Sequence, residues 1–224
     1  MAIARYKALC IDVNDEGSMS RFWADTLGLT IDRDPDGDVV LTGPTPAHTV
    51  WPCVVPEPKS VKHRVHLDIN ALSPESFAGL KRLSGTREFP WTVFEDPEGG
   101  EFCVFLRRSV PDYKLYEIVV DCADAPAIAG WWADVLGAEL AHHDLGFSYL
   151  TNMDGVPFSA MSFVPVPEPK SVKNRIHGDV TVGRSGVADL VARGAVVLRR
   201  PDDAIDWTVL ADPEGNEFCA FVVE

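Results

Sequence analysis

The sequence predicts an α+β fold made of four strand–helix–strand units, two in each half of the chain. Three observations carry this. The octapeptide VPEPKSVK stands at 55–62 and again at 166–173. Each copy leads into Arg-x-His-x-Asp, which is Arg64, His66 and Asp68 in the first half and Arg175, His177 and Asp179 in the second. DPEGGEFCVF at 96–105 is answered by DPEGNEFCAF at 212–221. The chain is therefore a duplication, and its chemistry was built on one half and copied. The halves are read as two domains, 1–110 and 111–224, joined around Val110-Pro111-Asp112. That joint is too short and too poor in Gly and Ser for a loose tether.

The order of elements within a half follows from local signals. Tyr6 to Val13 is an apolar-rich run stopped by Asn14-Asp15, a strand. Ser18 to Leu27 carries Phe22, Trp23 and Leu27 and ends at Gly28, a short helix with a glycine stop. Short strands follow, broken by Asp34-Pro35-Asp36-Gly37 and Gly43-Pro44. The Pro-rich octapeptide reads as a connector or a cover over a cleft. Arg64 to Asn70 is a strand. Ser73 to Leu83 is predicted as a helix, with Ser73 as cap and Pro74 at its first position. Trp91–Glu95 and Glu101–Arg107 are strands joined by the DPEG turn. Asp12, Trp23, Leu27 and Gly28 register with Asp121, Trp132, Leu136 and Gly137. The separation between matched residues grows along the chain, so length differences fall in loops.

Composition narrows the function classes. The chain has 224 residues, 46% of them hydrophobic, enough for packed cores. No run approaches the roughly 18 apolar residues of a membrane span, and the N-terminus has no signal-peptide pattern. A soluble, cytoplasmic protein is expected. The net charge of −14 disfavours nucleic acid and anionic membranes, which are bound through basic patches. The five cysteines are odd in number and form no CxxC pair, which suits reduced thiols in a cytosol. No Walker, Rossmann or Ser-nucleophile motif is present.

Strand alternation puts Arg64, His66 and Asp68 on one face and Val65, Leu67 and Ile69 on the other. Glu101, Cys103 and Phe105 likewise share a face. If those faces meet, the polar residues form either a ligand-gripping or acid/base site or a structural Arg–carboxylate network. Cys103 and Cys219 read as small buried hydrophobes or as reactive thiols. Trp91 and Trp207, just before the DPEG turns, either line a pocket or pack in a core.

Four such units, the Phe22-Trp23 pair on a helix ending in Leu27-Gly28, and a closing DPEGNEF hairpin resemble the vicinal-oxygen-chelate superfamily. This is the fold of glyoxalase I, extradiol dioxygenases and bleomycin-resistance proteins. The glyoxalase-like group is the nearest match, and the resemblance spans both halves. It implies βαβββ modules whose mixed sheets curl around cup-shaped clefts; whether modules pair within or across halves is left open. It also implies ligand positions at His66 and His177, at Cys103 and Cys219, at Ala8 and Glu117, and around Trp51 to Cys53 and Phe163 to Val164. On that reading no metal is assigned. If a divalent metal binds, His177, Glu117 and Glu217 are its ligands, and the second half is the stronger site because it has Glu117 where the first has Ala8. The candidate ligand-binding set is Arg64, His66, Asp68, Glu101, Cys103, Trp91, Glu117, Arg175, His177, Asp179, Glu217, Cys219 and Trp207. The expected function is binding of a small aromatic or natural-product-like molecule, as in drug sequestration and antibiotic resistance. The alternative is a metal-dependent lyase, isomerase or dioxygenase. The expected partner is a small molecule, and the expected state a monomer or homodimer.

Overall fold

A computed structural model describes residues 2–223. The first unit runs β1 (Ala4–Val13), α1 (Glu16–Leu27), β2 (Thr30–Arg33), β3 (Val39–Thr42) and β4 (Val50–Val54). The second is shorter, with β5 (Val65–Ala71), β6 (Thr92–Glu95) and β7 (Glu101–Leu106). The third has β8 (Leu115–Cys122), α2 (Ala125–Leu136), β9 (Glu139–His142), β10 (Ser148–Thr151) and β11 (Ala160–Pro165). The fourth has β12 (Ile176–Val182), α3 (Gly186–Ala192), β13 (Val196–Arg199), β14 (Thr208–Ala211) and β15 (Glu217–Val222). The fold is α+β with βαβββ-like repeats.

The units pair across the halves. One mixed sheet has the order β13-β14-β15-β12-β1-β4-β3-β2, uniting the fourth unit with the first. The other has the order β6-β7-β5-β8-β11-β10-β9, uniting the second unit with the third. We call these the first and second sheets. Their central seams are antiparallel, β1 against β12 and β5 against β8. The sequence repeat and the sheet are thus different divisions of the same chain.

The helices begin where acidic side chains can satisfy free N–H groups. Asp15 accepts from the Ser18 amide at 3.0 Å, and Asp124 from the Ala127 amide at 3.1 Å. The cap of α1 is therefore Asp15, ahead of the expected Ser18. Both helices stop at a left-handed glycine, Gly28 (φ 77°) and Gly137 (φ 66°). The helix expected over 73–83 is corrected to a single 3-10 turn, Pro74–Phe77, with Ser73 capping the Glu75 amide at 3.1 Å. One turn suffices to place Phe77 against Phe94 and Phe102. Beyond Gly79 the chain extends instead and pairs with β6, through Glu95 N to Lys81 O and Leu83 N to Val93 O, each 2.9 Å. Sheet pairing overrides a weak helical propensity.

Each sheet turns an apolar face inward. Leu9, Ile11, Leu67, Ile69, Phe102, Phe163 and Phe218 are buried there in one continuous core. Helices tie the sheets together: Trp23 of α1 meets Phe102 of β7, and Trp132 of α2 meets Phe218 of β15, both edge-to-face.

The repeated motifs turn out to be the fasteners between units. Asp96 and Asp212 close the DPEG turns by accepting backbone N–H groups through Oδ1. Glu98 then accepts from the Asn14 and Asp15 amides, both at 2.7 Å. Glu214 does the same for Ala123 and Asp124, at 2.7 and 2.8 Å. Each carboxylate sits at the positive start of the helix in the other unit of its own half, reaching from one sheet to the other. The octapeptides are clasped reciprocally. Arg64 donates to the carbonyls of Glu168 (2.7 Å) and Asp121 (2.8 Å), and Arg175 to those of Glu57 (2.6 Å) and Asp12 (3.0 Å). Lys62 pairs with Asp121 and Lys173 with Asp12. Each copy is gripped by the arginine that follows the other. This two-way recognition is a physical reason for the two copies to match.

Candidate functional site

Outside the core, the polar face of the second sheet gathers residues from both halves. On β5 the alternation of a strand places His66 and Asp68 together, away from Leu67 and Ile69. Asp68 stands beside Cys103 of β7 and opposite Glu117 of β8, while His66 faces Val119. His66 Nε2 is 3.5 Å from Asp68 Oδ1. One ligand atom each from His66, Asp68 and Cys103 lies within 4.8 Å of the others. Ser162 of β11 donates to Glu117 Oε2 at 2.7 Å, which fixes that carboxylate against the strand.

The electrostatics follow from burial. Desolvation pushes the His66 pKa down to about 3, aided by the charges of Lys62 and His63, so the ring is neutral. Desolvation pushes Asp68 up to about 8, and Glu117 adds to the effect. The Cys103 thiol is also pushed up by burial. Asp68 Oδ1 is buried and has no hydrogen-bond partner. A buried acceptor left open is costly, and this one opens onto the His66–Cys103 cluster.

Aromatic rings edge the same face. Trp91 stacks on Phe105 (centroids 5.3 Å) and on Phe89 (5.2 Å), and Phe105 meets Tyr116 at 5.4 Å. The Arg107 guanidinium lies 4.7 Å from the Tyr116 ring centroid. Trp91 is half-buried.

The first sheet carries a related but different cluster. His177 and Asp179 of β12 stand beside Cys219 of β15, with His177 Nε2 3.5 Å from Cys219 Sγ and 3.9 Å from Asp179 Oδ1. Across the seam the partners are Cys10, opposite His177, and Ala8, opposite Asp179. Burial lowers His177 to about 4 and raises Asp179 to about 6 and Cys219 to about 12. Trp207 stacks on Phe221 at 5.3 Å, and Lys7 Nζ lies 4.1 Å from that ring.

Several expected placements are corrected by the cross-half pairing. His177, Glu117 and Glu217 do not converge: Glu117 belongs to the second sheet with His66 and Asp68, and Ala8 to the first with Asp179. The carboxylate that was to strengthen the second half's cluster thus completes the first half's. Glu217 is tied to Lys170 (2.7 Å) and to the Asn174 amide (3.1 Å), as Glu101 is to Lys59 (2.7 Å) and the His63 amide (2.9 Å). Arg64 and Arg175 are engaged in the octapeptide clasp. These four side chains hold the connectors rather than standing open beside the histidines. Cys10 and Ser162 stand in the clusters and were not singled out from sequence, while Cys53, beside Cys10, lies in the 51–53 stretch that the resemblance implied. The only signal for Cys10 and Ser162 was a polar or sulfur atom on the same strand face as a candidate, and that becomes visible only once the strand neighbours are known.

Among the described residues, no helix is long and apolar enough to cross a membrane. All five cysteines are free. Among the described residues, two clusters of metal-ligating side-chain types are present, one on each sheet.

The glyoxalase-like domain model matches twice, at residues 8–105 and 117–221. Among solved structures, glyoxalase I from Zea mays is similar with a TM-score of 0.68 at 15% identity, covering 97% of this chain and 92% of that one. A point variant of that enzyme gives 0.68 at 14% identity, covering 98% and 94%. The cppA protein from Streptococcus pneumoniae TIGR4 gives 0.50 at 10% identity, covering 98% and 100%. At these identities the likeness is one of fold. No curated protein matches the chain by sequence. With the domain model matching nearly the whole length of both halves, the chain belongs to the glyoxalase-like domain family of the vicinal-oxygen-chelate superfamily, and carries the domain in tandem.

Proposed function

We propose that the protein binds a small planar organic molecule in a cup-shaped cleft on the polar face of the second sheet. The observation that supports this reading most is the buried, unpartnered Oδ1 of Asp68, next to His66 and Cys103 and opposite Glu117. A ligand donor, or a cationic group, supplies what that oxygen lacks. The aromatic edge of Trp91, Phe105 and Tyr116 suits the flat body of such a molecule. The acidic character of the site favours a ligand with N–H groups or a positive charge, and the neutral His66 ring offers one further donor or acceptor. Binding without turnover amounts to sequestration, the mode expected of a drug-resistance protein.

The test is a thermal-shift screen of planar aromatic amines, followed by calorimetry on the best binder. Measured at pH 9, above the Asp68 pKa of about 8, Glu117→Gln and Asp68→Asn are each expected to weaken it about ten- to a hundredfold, the worth of a charge-assisted hydrogen bond of roughly 1.5–3 kcal/mol. Unchanged affinity in both variants overturns the reading.

A second reading rests on the donor set itself. One imidazole, two carboxylates and a thiol fit a divalent cation by type, and the orphaned Asp68 oxygen is what such a cation would satisfy. His66, Asp68 and Glu117 would hold it, and it would supply a Lewis acid to the oxygens of a bound substrate, as a metal-dependent lyase, isomerase or dioxygenase needs. Ser162 would orient Glu117 by its hydrogen bond, and the aromatic edge would orient the substrate. Metal analysis of untagged protein tests this: a stoichiometric divalent ion lost in His66→Ala supports it, and its absence from the wild type refutes it.

A further inference from the structure

A cavity of about 760 Å³ opens between the two octapeptide connectors. Its size suits a small molecule, and such sites favour the junctions between packed units. None of His66, Asp68, Cys103 and Glu117 lines it, so it is separate from the cleft of the second sheet.

Its walls are copies of each other. Ser60, Val61 and Lys62 on one connector answer Ser171, Val172 and Lys173 on the other, and all six line the cavity. The clasp around it is reciprocal, Arg64 holding the carbonyl of Glu168 and Arg175 that of Glu57. Reciprocal contacts of this kind are those of a twofold relation, and the cavity lies where that relation brings the halves together. The clasp accounts for the two arginines. It does not account for the Ser-Val pairs, which take no part in it. Val61 and Val172 are 41% and 42% exposed, so neither is held by core packing. What the repeated Ser-Val pairs share is this cavity.

Charge sets the class of ligand. Lys62 pairs with Asp121 and Lys173 with Asp12, but the members of each pair are not equally placed. The lysine side chains are 62% and 54% exposed, the aspartates 7% and 5%. The ammonium groups stand in front and the carboxylates behind. An ammonium has three N–H donors, and pairing with the aspartate uses one. The two serine hydroxyls add donors on the same walls. Five Lys and Arg line the cavity against four Asp and Glu, on a chain whose net charge is −14. Pro58, Pro169 and the two valines make much of the remaining wall apolar.

We infer that this cavity binds a small dianion, two acidic groups joined by an apolar spacer. Lys62 and Ser60 hold one group, and Lys173 and Ser171 hold the other. Walls related by a twofold call for a ligand with like groups at its two ends, and the valines and prolines suit the spacer. Such a ligand joins the two connectors, and so ties the halves at a point that neither sheet covers. This goes beyond the reading of the second sheet and does not rest on it.

The probes are the straight-chain α,ω-dicarboxylates from succinate to azelate. The monocarboxylate and the diamine of each length are the controls, and affinity is measured by calorimetry on the whole chain at low ionic strength. One diacid is expected to bind about tenfold or more tightly than its monoacid and its diamine, as a second charge-assisted contact implies, and to weaken as salt rises. Lys62→Met and Lys173→Met are each expected to weaken it about tenfold or more, by similar factors. Trp91→Ala, on the second sheet, is expected to leave it unchanged. No binding by any diacid, equal binding of monoacid and diacid, tighter binding of the diamine, or a loss in Trp91→Ala as large as in Lys62→Met overturns the proposal. Where loss of a lysine unfolds the chain by baring its aspartate, Ser60→Trp decides. Ser60 is exposed and outside the ion pairs, and an indole there fills the cavity. Diacid binding is expected to be lost in Ser60→Trp with the melting temperature kept, and binding retained in that variant overturns the assignment.

Discussion

Glu117 stands directly opposite Asp68 across the antiparallel seam of β5 and β8, although the two residues come from different halves of the chain. Neither half alone builds that pair. The duplicated sequence thus assembles each cluster from one unit of each copy, and a substitution in one half acts on the cluster named for the other.

The DPEG glutamates are the first place to test how the units lock. Glu98 serves the amides of Asn14 and Asp15 and pairs with Arg175 at 3.2 Å. Glu98→Ala leaves those donors without their acceptor and is expected to destabilise the protein by about 1–3 kcal/mol in urea unfolding. Glu75→Ala, at an exposed position, is expected to change stability by less than about 0.5 kcal/mol. Equal effects would mean that Glu98 is only a turn residue.

The octapeptide clasp makes a sharper demand on chemistry. Arg64 reaches two carbonyls with two guanidinium nitrogens. A lysine keeps the charge but lacks the fork. Arg64→Lys is expected to cost about 1–2 kcal/mol. A neutral outcome in the same unfolding assay would show that charge alone suffices.

Gly28 combines a left-handed backbone with a close approach. A Cβ there would meet the Asp112 carbonyl oxygen at 2.0 Å, whereas one at Gly37 (φ 95°) would meet nothing within 4 Å. Gly37→Ala should cost only the conformational part, about 1–2 kcal/mol. Gly28→Ala adds a backbone clash and is expected to cost more than about 3 kcal/mol or to prevent folding. Similar melting temperatures for the two variants would contradict this.

Asp96 sets a pH dependence. Burial raises its pKa to about 6, against the backbone hydrogen bonds from Gly100 and Glu98 that lower it. An acid with a raised folded pKa binds its proton more tightly when folded. Its stabilising contribution is complete below the unfolded value near 4 and is lost as pH rises through about 6. Asp96→Asn keeps an oxygen acceptor and removes the charge. It should therefore gain stability relative to wild type between pH 5 and pH 8, by about 1–3 kcal/mol. A constant difference across that range would show that Asp96 is not the titrating group.

Much of the fold was legible because the signals were local. The alternation in Val65-His66-Leu67-Asp68-Ile69 marks both the strand and its two faces, and Leu27-Gly28 marks the end of a helix. The 73–83 segment misled because its Ser73-Pro74 start is a genuine cap. What ended the helix was pairing of Lys81 and Leu83 with β6, a contact distant in sequence. The site was half legible. His66, Asp68 and Cys103 follow from alternation within one half, but their partner Glu117 does not. Two near-identical repeats give no local preference between pairing within a half and across halves. For the same reason Cys10 looked like an ordinary strand residue until β12 was placed beside β1.

The most direct test of the joint site is a double-mutant cycle on Asp68 and Glu117, read as the calorimetric affinity for the tightest planar amine from the thermal-shift screen. Groups that share one ligand do not act independently. The prediction, at pH 9 where Asp68 is ionised, is that Asp68→Asn and Glu117→Gln each weaken binding at least tenfold and that the double variant departs from additivity by more than about 0.5 kcal/mol. Strict additivity, or a Glu117→Gln variant that binds as tightly as wild type, would contradict a site shared by the two halves.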